Sequence, residues 1–257
     1  MKFRNSTRPW EFESRLGNLG NISQFTLRFN SQIVGTTRAL AWNSALTPYF
    51  PTAAETMTIS STNANDALGG TRANAVQITY LDANYNQQTT IVYLNGTTEV
   101  TITPQMIRVN EMKVVLCGSN AAQNNQGTIW IGTGTVTAGV PANPVCFIEP
   151  TLGWSYHGIY TVPANKSAIL NNGLLGSASN ILQEAQLVVR LYGTNTQSVA
   201  AQYQVYRTNS ILENVTIAAL PAKTDLLCYS FTTSGTATIS GNVGLFVVDA
   251  TESSRNP

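Results

Sequence analysis

Period-two alternation governs this chain. Across residues 75–80, Val76, Ile78 and Tyr80 fall on one face and Gln77 and Thr79 on the other, the pattern of a strand with one side buried. The same alternation, rich in β-branched residues, recurs along the sequence, and helical spacing is almost absent. Strands are predicted at 75–80, 89–94, 97–102, 106–116, 127–131 and 145–148. Residues 81–86 make a turn, and Asn95-Gly96 is a strong hairpin signal because both residues tolerate positive φ. The first three strands therefore read as a meander.

Glycines and prolines interrupt the rhythm at 132–144, which reads as the approach to a domain boundary near residue 150. Strands then resume at 155–162, 166–170, 182–192, 200–206, 211–217, 225–231, 236–239 and 243–248, with turns at Asn172-Gly173 and residues 220–223. That strand density is the density of a sandwich or jelly roll. The expected fold is all-β: two antiparallel β-sandwich or jelly-roll-like domains, 46–150 and 151–257, preceded by an N-terminal arm, 1–45.

Composition narrows the function. Only 11% of the 257 residues are charged while 43% are hydrophobic, against roughly a quarter charged in ordinary globular chains. A surface of amides and hydroxyls is cheaper to desolvate than one of Lys and Glu, which suits contact between subunits. A net charge of +1 gives no general reason for a polyanionic partner. The exception is the arm, where Lys2, Arg4, Arg8, Arg15, Arg28 and Arg38 face only Glu11 and Glu13. It is a candidate assembly arm, with Arg4, Arg8, Trp10, Phe12, Arg15 and Phe25 as its contacts, and it is where nucleic acid would touch the chain if it does so at all. No apolar leader and no eighteen-residue apolar run occur, so neither a signal peptide nor a membrane span is expected.

The sequence offers little for catalysis. His157, the single histidine, has no carboxylate beside it, and no G-x-S-x-G elbow is present. The acids are scattered singly near turns and strand ends, where solvation accounts for them. Cys117, Cys146 and Cys228 lie far apart and make neither a disulfide framework nor a zinc set. The expectation is a chain that is not an enzyme, with no catalytic residue, no metal and no cofactor. Trp154, Tyr156 and Tyr160 would share one face of a strand by period two, as a sugar-stacking platform or as part of a core or subunit interface.

Several short stretches carry a resemblance in their order: NAND at 63–66, ITYLDAN at 78–84, VYLNGTTEV at 92–100, MIRVN at 106–110, GTIWIG at 127–132, IYTVPANK at 159–166 and LPAKTD at 220–225. Together, over about residues 50 to 249, they resemble a family of virion structural proteins of aquatic viruses, including marine and cyanobacterial tailed phages and large algal viruses. The resemblance implies a non-enzymatic, β-rich component of a virus particle. The resulting expectation is a minor capsid or capsid-associated subunit, located in the virion, that binds copies of itself and other virion proteins. The alternative is a tail, fibre or spike protein binding a host surface glycan through Trp154, Tyr156 and Tyr160. A third reading, a polysaccharide-degrading enzyme, would need two of the scattered acids to meet in a groove.

Overall fold

The computed structural model describes residues 22–34, 36–119, 124–177, 180–194, 196–205, 210–212 and 219–250, with backbone alone at 31–34 and 210–212. Sixteen strands carry these residues. They are β1 (Ile22–Val34), β2 (Ala39–Leu40), β3 (Thr58–Ser61), β4 (Ala73–Leu81), β5 (Gln87–Tyr93), β6 (Val100–Thr101), β7 (Arg108–Cys117) and β8 (Ile129–Thr137), followed by β9 (Val140–Ile148), β10 (Ile159–Thr161), β11 (Lys166–Ser177), β12 (Gln183–Arg190), β13 (Gln197–Val205), β14 (Ser210–Leu212), β15 (Asp225–Thr232) and β16 (Thr236–Asp249).

The strands form four antiparallel sheets. One pair, ordered β6-β3-β8-β9 and β5-β4-β7, encloses Met57, Ile59, Val76, Ile78, Met112 and Ile131. The other pair, β1-β16-β11-β14 and β10-β15-β12-β13 with β2 added on β15, encloses Leu27, Phe29, Tyr160, Leu187, Leu226 and Leu245. Each fully buried aliphatic side chain contributes on the order of 1.5–3 kcal/mol. The all-β, antiparallel expectation is met, and the polar-out, apolar-in pattern of β4 explains its place: Ile78 faces the core while Gln77 pairs with Ile91 of β5 toward solvent.

Period two also joins the two pairs. Ile129 and Ile131 point into the first core, so Trp130 between them points the other way; Phe147 stands likewise between Cys146 and Ile148. On the facing sheet Val188 and Leu227 are the out-of-phase residues of strands whose neighbours Leu187, Val189, Leu226 and Cys228 fill the second core. These outward residues meet around Trp42, whose ring centroid lies 4.7 Å from that of Phe147, which in turn stacks on Trp130 at 4.8 Å. The inner two sheets are thus buried on both faces, and their strands read as nearly continuous apolar runs.

Several local expectations change. Residues 22–45 are not a detached arm: β1 pairs with β16 along all thirteen of its residues, from Ile22 opposite Val248 to Val34 opposite Thr236. The alternation Phe25-Thr26-Leu27-Arg28-Phe29 is that of a half-buried strand, with Leu27 and Phe29 each 1% exposed. The meander fails because Asn95-Gly96 carries the chain from one sheet to the opposite one: β5 pairs with β4, and β6 with β3. Residues 132–144 form the outer half of the β8–β9 hairpin, turning at Ala138 and Gly139 with φ of 49° and 79°. Only glycine fits at 139, where a Cβ would sit 1.9 Å from the Ser61 carbonyl oxygen. Asn172-Gly173 is no turn but part of β11, which passes it through a bulge between Leu170 and Asn172.

Candidate functional site

The aromatic platform does not assemble. Tyr160 is fully buried in the second core, its ring centroid 4.4 Å from Phe25. Burial pushes its phenol pKa well up. Trp154 and Tyr156 precede β10 rather than lying on it, because the chain bends at Gly158, φ 64°, where a Cβ would come within 2.9 Å of the Ala41 carbonyl oxygen. Without a continuous strand, period two no longer aligns the rings. Trp154 is half-buried, with the Arg28 guanidinium 4.0 Å and the Lys113 ammonium 4.6 Å from its ring centroid. Of the candidate arm residues, Phe25 packs within its own chain; Arg4, Arg8, Trp10, Phe12 and Arg15 lie outside the described residues.

His157 is 2% exposed and bridges to Phe29 of β1. Burial pushes its pKa down to about 4. The Val109 backbone lies near enough to favour the charged ring slightly, but neither ring nitrogen has a partner in hydrogen-bond geometry among the described residues. The cavity beside it, about 10 Å³, has room for about one water molecule and none for a substrate.

Two acids expected to be solvated are buried instead. Asp66 accepts hydrogen bonds from the backbone of Ala73, Gln126 and Gly127 and from the Ser61 hydroxyl, which pins two loops together. Asp225, 4% exposed, joins the two sandwiches. Its Oδ1 accepts from Arg108 Nε at 3.1 Å and from the Thr161 hydroxyl at 2.5 Å; its Oδ2 accepts from Arg190 Nε at 2.9 Å and Nη2 at 2.5 Å. Burial alone would raise this carboxyl, but the charge and hydrogen bonds of Arg108, the Thr161 hydroxyl and Arg190 outweigh it and hold the pKa below the usual carboxylate range. Arg108 comes from β7 of the first sandwich, while Arg190 and Asp225 come from the second. Arg108 Nη1 also donates to the Pro51 carbonyl at 2.7 Å, and the Phe50 ring lies 4.3 Å beneath the Arg190 guanidinium.

Above this clamp Tyr85 and Tyr192 meet edge to face, centroids 5.4 Å apart, and the Lys223 ammonium stands 5.2 Å from the first ring and 4.7 Å from the second. Tyr85 and Lys223 both adopt φ of 64°, a left-handed conformation that costs a side chain of this size about 1–2 kcal/mol. Sequence reading missed this group because its members are separated by up to 138 positions; the turns at 81–86 and 220–223 were its local traces.

A third feature is the edge of the first sandwich. β5 lies at the end of its sheet, and among the described residues no strand pairs with its outer side. Its seven residues include no charge and no proline, and Ile91 and Tyr93 are 55% and 53% exposed on the outer face. On β7 of the same sheet, Val115 and Leu116 are exposed as well.

No protein-family model matches this chain, and no curated protein does. Among solved structures, a chain from the structure of infectious bursal disease virus, Gx strain, is similar at 8% identity and a TM-score of 0.25, over 90% of this chain and 70% of that one. A chain from the Gt strain of the same virus is similar at 9% identity and a TM-score of 0.16, over 92% and 80%. At these TM-scores the likeness carries no weight for fold or function.

Proposed function

We propose that this chain is a non-enzymatic structural subunit of a virus particle, a minor capsid or capsid-associated protein that assembles with its own copies and with other virion proteins. The observation that carries the assembly reading is the edge of β5. Monomeric proteins blunt such edges with lysines, prolines or bulges, because an open row of backbone donors and acceptors is a template for another strand. β5 has none of these charges or prolines, and its exposed isoleucine and tyrosine would be covered by a partner. Two copies related by a two-fold axis would pair β5 antiparallel with itself, giving a continuous six-stranded sheet. The sparse charge of the whole chain and the resemblance of its short motifs to virion proteins support the particle as the setting.

Light scattering on the purified chain tests this. The expected mass is that of a dimer or larger oligomer, falling to one chain in Ile91→Lys. Because residue 91 points to solvent within its own chain, the variant should keep the parent's β-sheet content by circular dichroism and lose only the share of thermal stability that assembly supplies. A parent that is a monomer, or a variant that keeps its oligomeric mass, would refute assembly through β5.

A further inference from the structure

The junction between the sandwiches opens into a cleft of about 290 Å³, lined among others by Phe50, Tyr85, Arg190, Tyr192, Lys223 and Asp225. Its charge is unbalanced. Among the described residues Asp225 is the one carboxylate lining it, and two guanidiniums share that group. Lys223 then adds a third cation, with no carboxylate within salt-bridge distance among the described residues. In a protein whose net charge is +1, this is a local excess of positive charge.

The cleft is also prearranged. Backbone hydrogen bonds lock the two left-handed residues: Tyr85 donates to the Asp82 carbonyl at 2.8 Å and accepts from Ala164 at 2.7 Å, and Lys223 donates to the Val162 carbonyl at 2.8 Å. Tyr192 is 56% exposed, and its ring lies beside the ammonium. Thr52 and Thr194 add hydroxyls to the wall. A ligand that fits must bring a negative charge for Lys223 and Arg190, a small apolar face for Tyr192, and polar groups around its rim. Its size must suit a cavity at the lower end of small-molecule sites.

We propose that this cleft binds an acidic saccharide, with a sugar carboxylate held by Lys223 and Arg190 and the pyranose face laid on Tyr192. A nucleic-acid strand would need a basic track leading away from the cleft, for which the overall charge gives no basis. The proposal is independent of the β5 edge, so either can fail alone.

Calorimetric titration of the full chain with sodium glucuronate, glucose and adenosine monophosphate tests it, with Lys223→Gln, Tyr192→Ala and, as a control, Lys166→Gln, whose lysine pairs with Asp249. The expected result is saturable binding of glucuronate, no measurable binding of glucose, and a loss of about tenfold in affinity in each cleft variant, from a charged contact in Lys223→Gln and from the stacking surface in Tyr192→Ala. The control should bind as the parent does. Absence of glucuronate binding at tens of millimolar, equal binding of glucose, tighter binding of the nucleotide, or unchanged affinity in both cleft variants would each overturn the proposal.

Discussion

The two sandwiches are assembled from the chain in different ways. The first draws its strands from one continuous stretch, β3 to β9, and its core is adaptable, with Met57, Met106 and Met112 among its fully buried side chains. The second is closed by strands from both ends of the sequence: β1 lies against β16 more than two hundred residues away, and β2 pairs with β15. Its core is anchored by aromatics, Phe29 and Tyr160. The first can therefore form as soon as its own residues are present, while the second waits for a pairing of very high sequence separation. Domain order in space is not chain order here.

The largest expected effect follows directly. A chain beginning at residue 45 keeps every strand of the first sandwich and loses β1 and β2, with Leu27 and Phe29 removed from the second core. That burial, at about 1.5–3 kcal/mol per side chain, together with the lost ladder, is comparable to the whole stability of a typical domain. Hydrogen exchange should show β11, β15 and β16 unprotected while β4 and β8 remain protected. Phe29→Ala should give a milder version, about 3–5 kcal/mol of destabilisation. Equal protection of both halves in the truncated chain would break the comparison.

Next in size is the tie between the halves. Asp225→Asn leaves two largely buried guanidiniums facing a neutral amide, a loss of about 3–5 kcal/mol. Thermal unfolding should then split toward two transitions if Asp225 couples the sandwiches; a single transition shifted downward would mean that the Trp42–Trp130–Phe147 contact couples them alone. The acid sign agrees. Because the folded pKa of Asp225 is depressed, its contribution is present above the unfolded value of about 4 and is lost as pH falls through the lower folded value.

How much of this was readable beforehand depends on the range of the interaction. Strand identity is local, so the alternation at Val76, Ile78 and Tyr80 located β4 within two residues. Pairing is not local: nothing at Phe25, Leu27 and Phe29 says that their partners are Leu245, Val243 and Gly241, and a strand separated from its sheet by the whole domain looks like an arm. Asn95-Gly96 was correctly a turn, but a turn signal does not say whether the chain returns to the same sheet. For the site, the aromatic count near residue 156 was right and its geometry wrong, because one positive-φ glycine at 158 removed the strand on which the period-two argument stood. Arg190 lies in no motif, and the stretch LPAKTD that holds Lys223 and Asp225 reads only as a turn; their relation exists only after β7, β12 and β15 have been brought together.

His157 gives the smallest effect and the sharpest discrimination, since it lies where β1 of the second sandwich faces Val109 of the first. With an ordinary pKa near 6.5 and a folded value of about 4, the unfolded chain takes up a proton in this window and the folded chain does not. Stability should therefore be complete above pH 6.5 and fall by roughly 3 kcal/mol on the way to pH 4, with no further loss from this group below that. Glu111, whose carboxyl is pushed up by burial against the pull of Arg28, acts in the opposite direction, since folding then favours its protonated form. The residue's own share is thus read as the difference between the parent and His157→Leu, measured by urea unfolding at several pH values. If that difference is flat across the window, the imidazole is protonated in the folded protein and the seam between β1 and β7 admits water. If it slopes as expected, with the loss appearing first in β1 and β16 by hydrogen exchange, the weaker of the two sandwiches is the one whose closing strand comes from the far end of the chain.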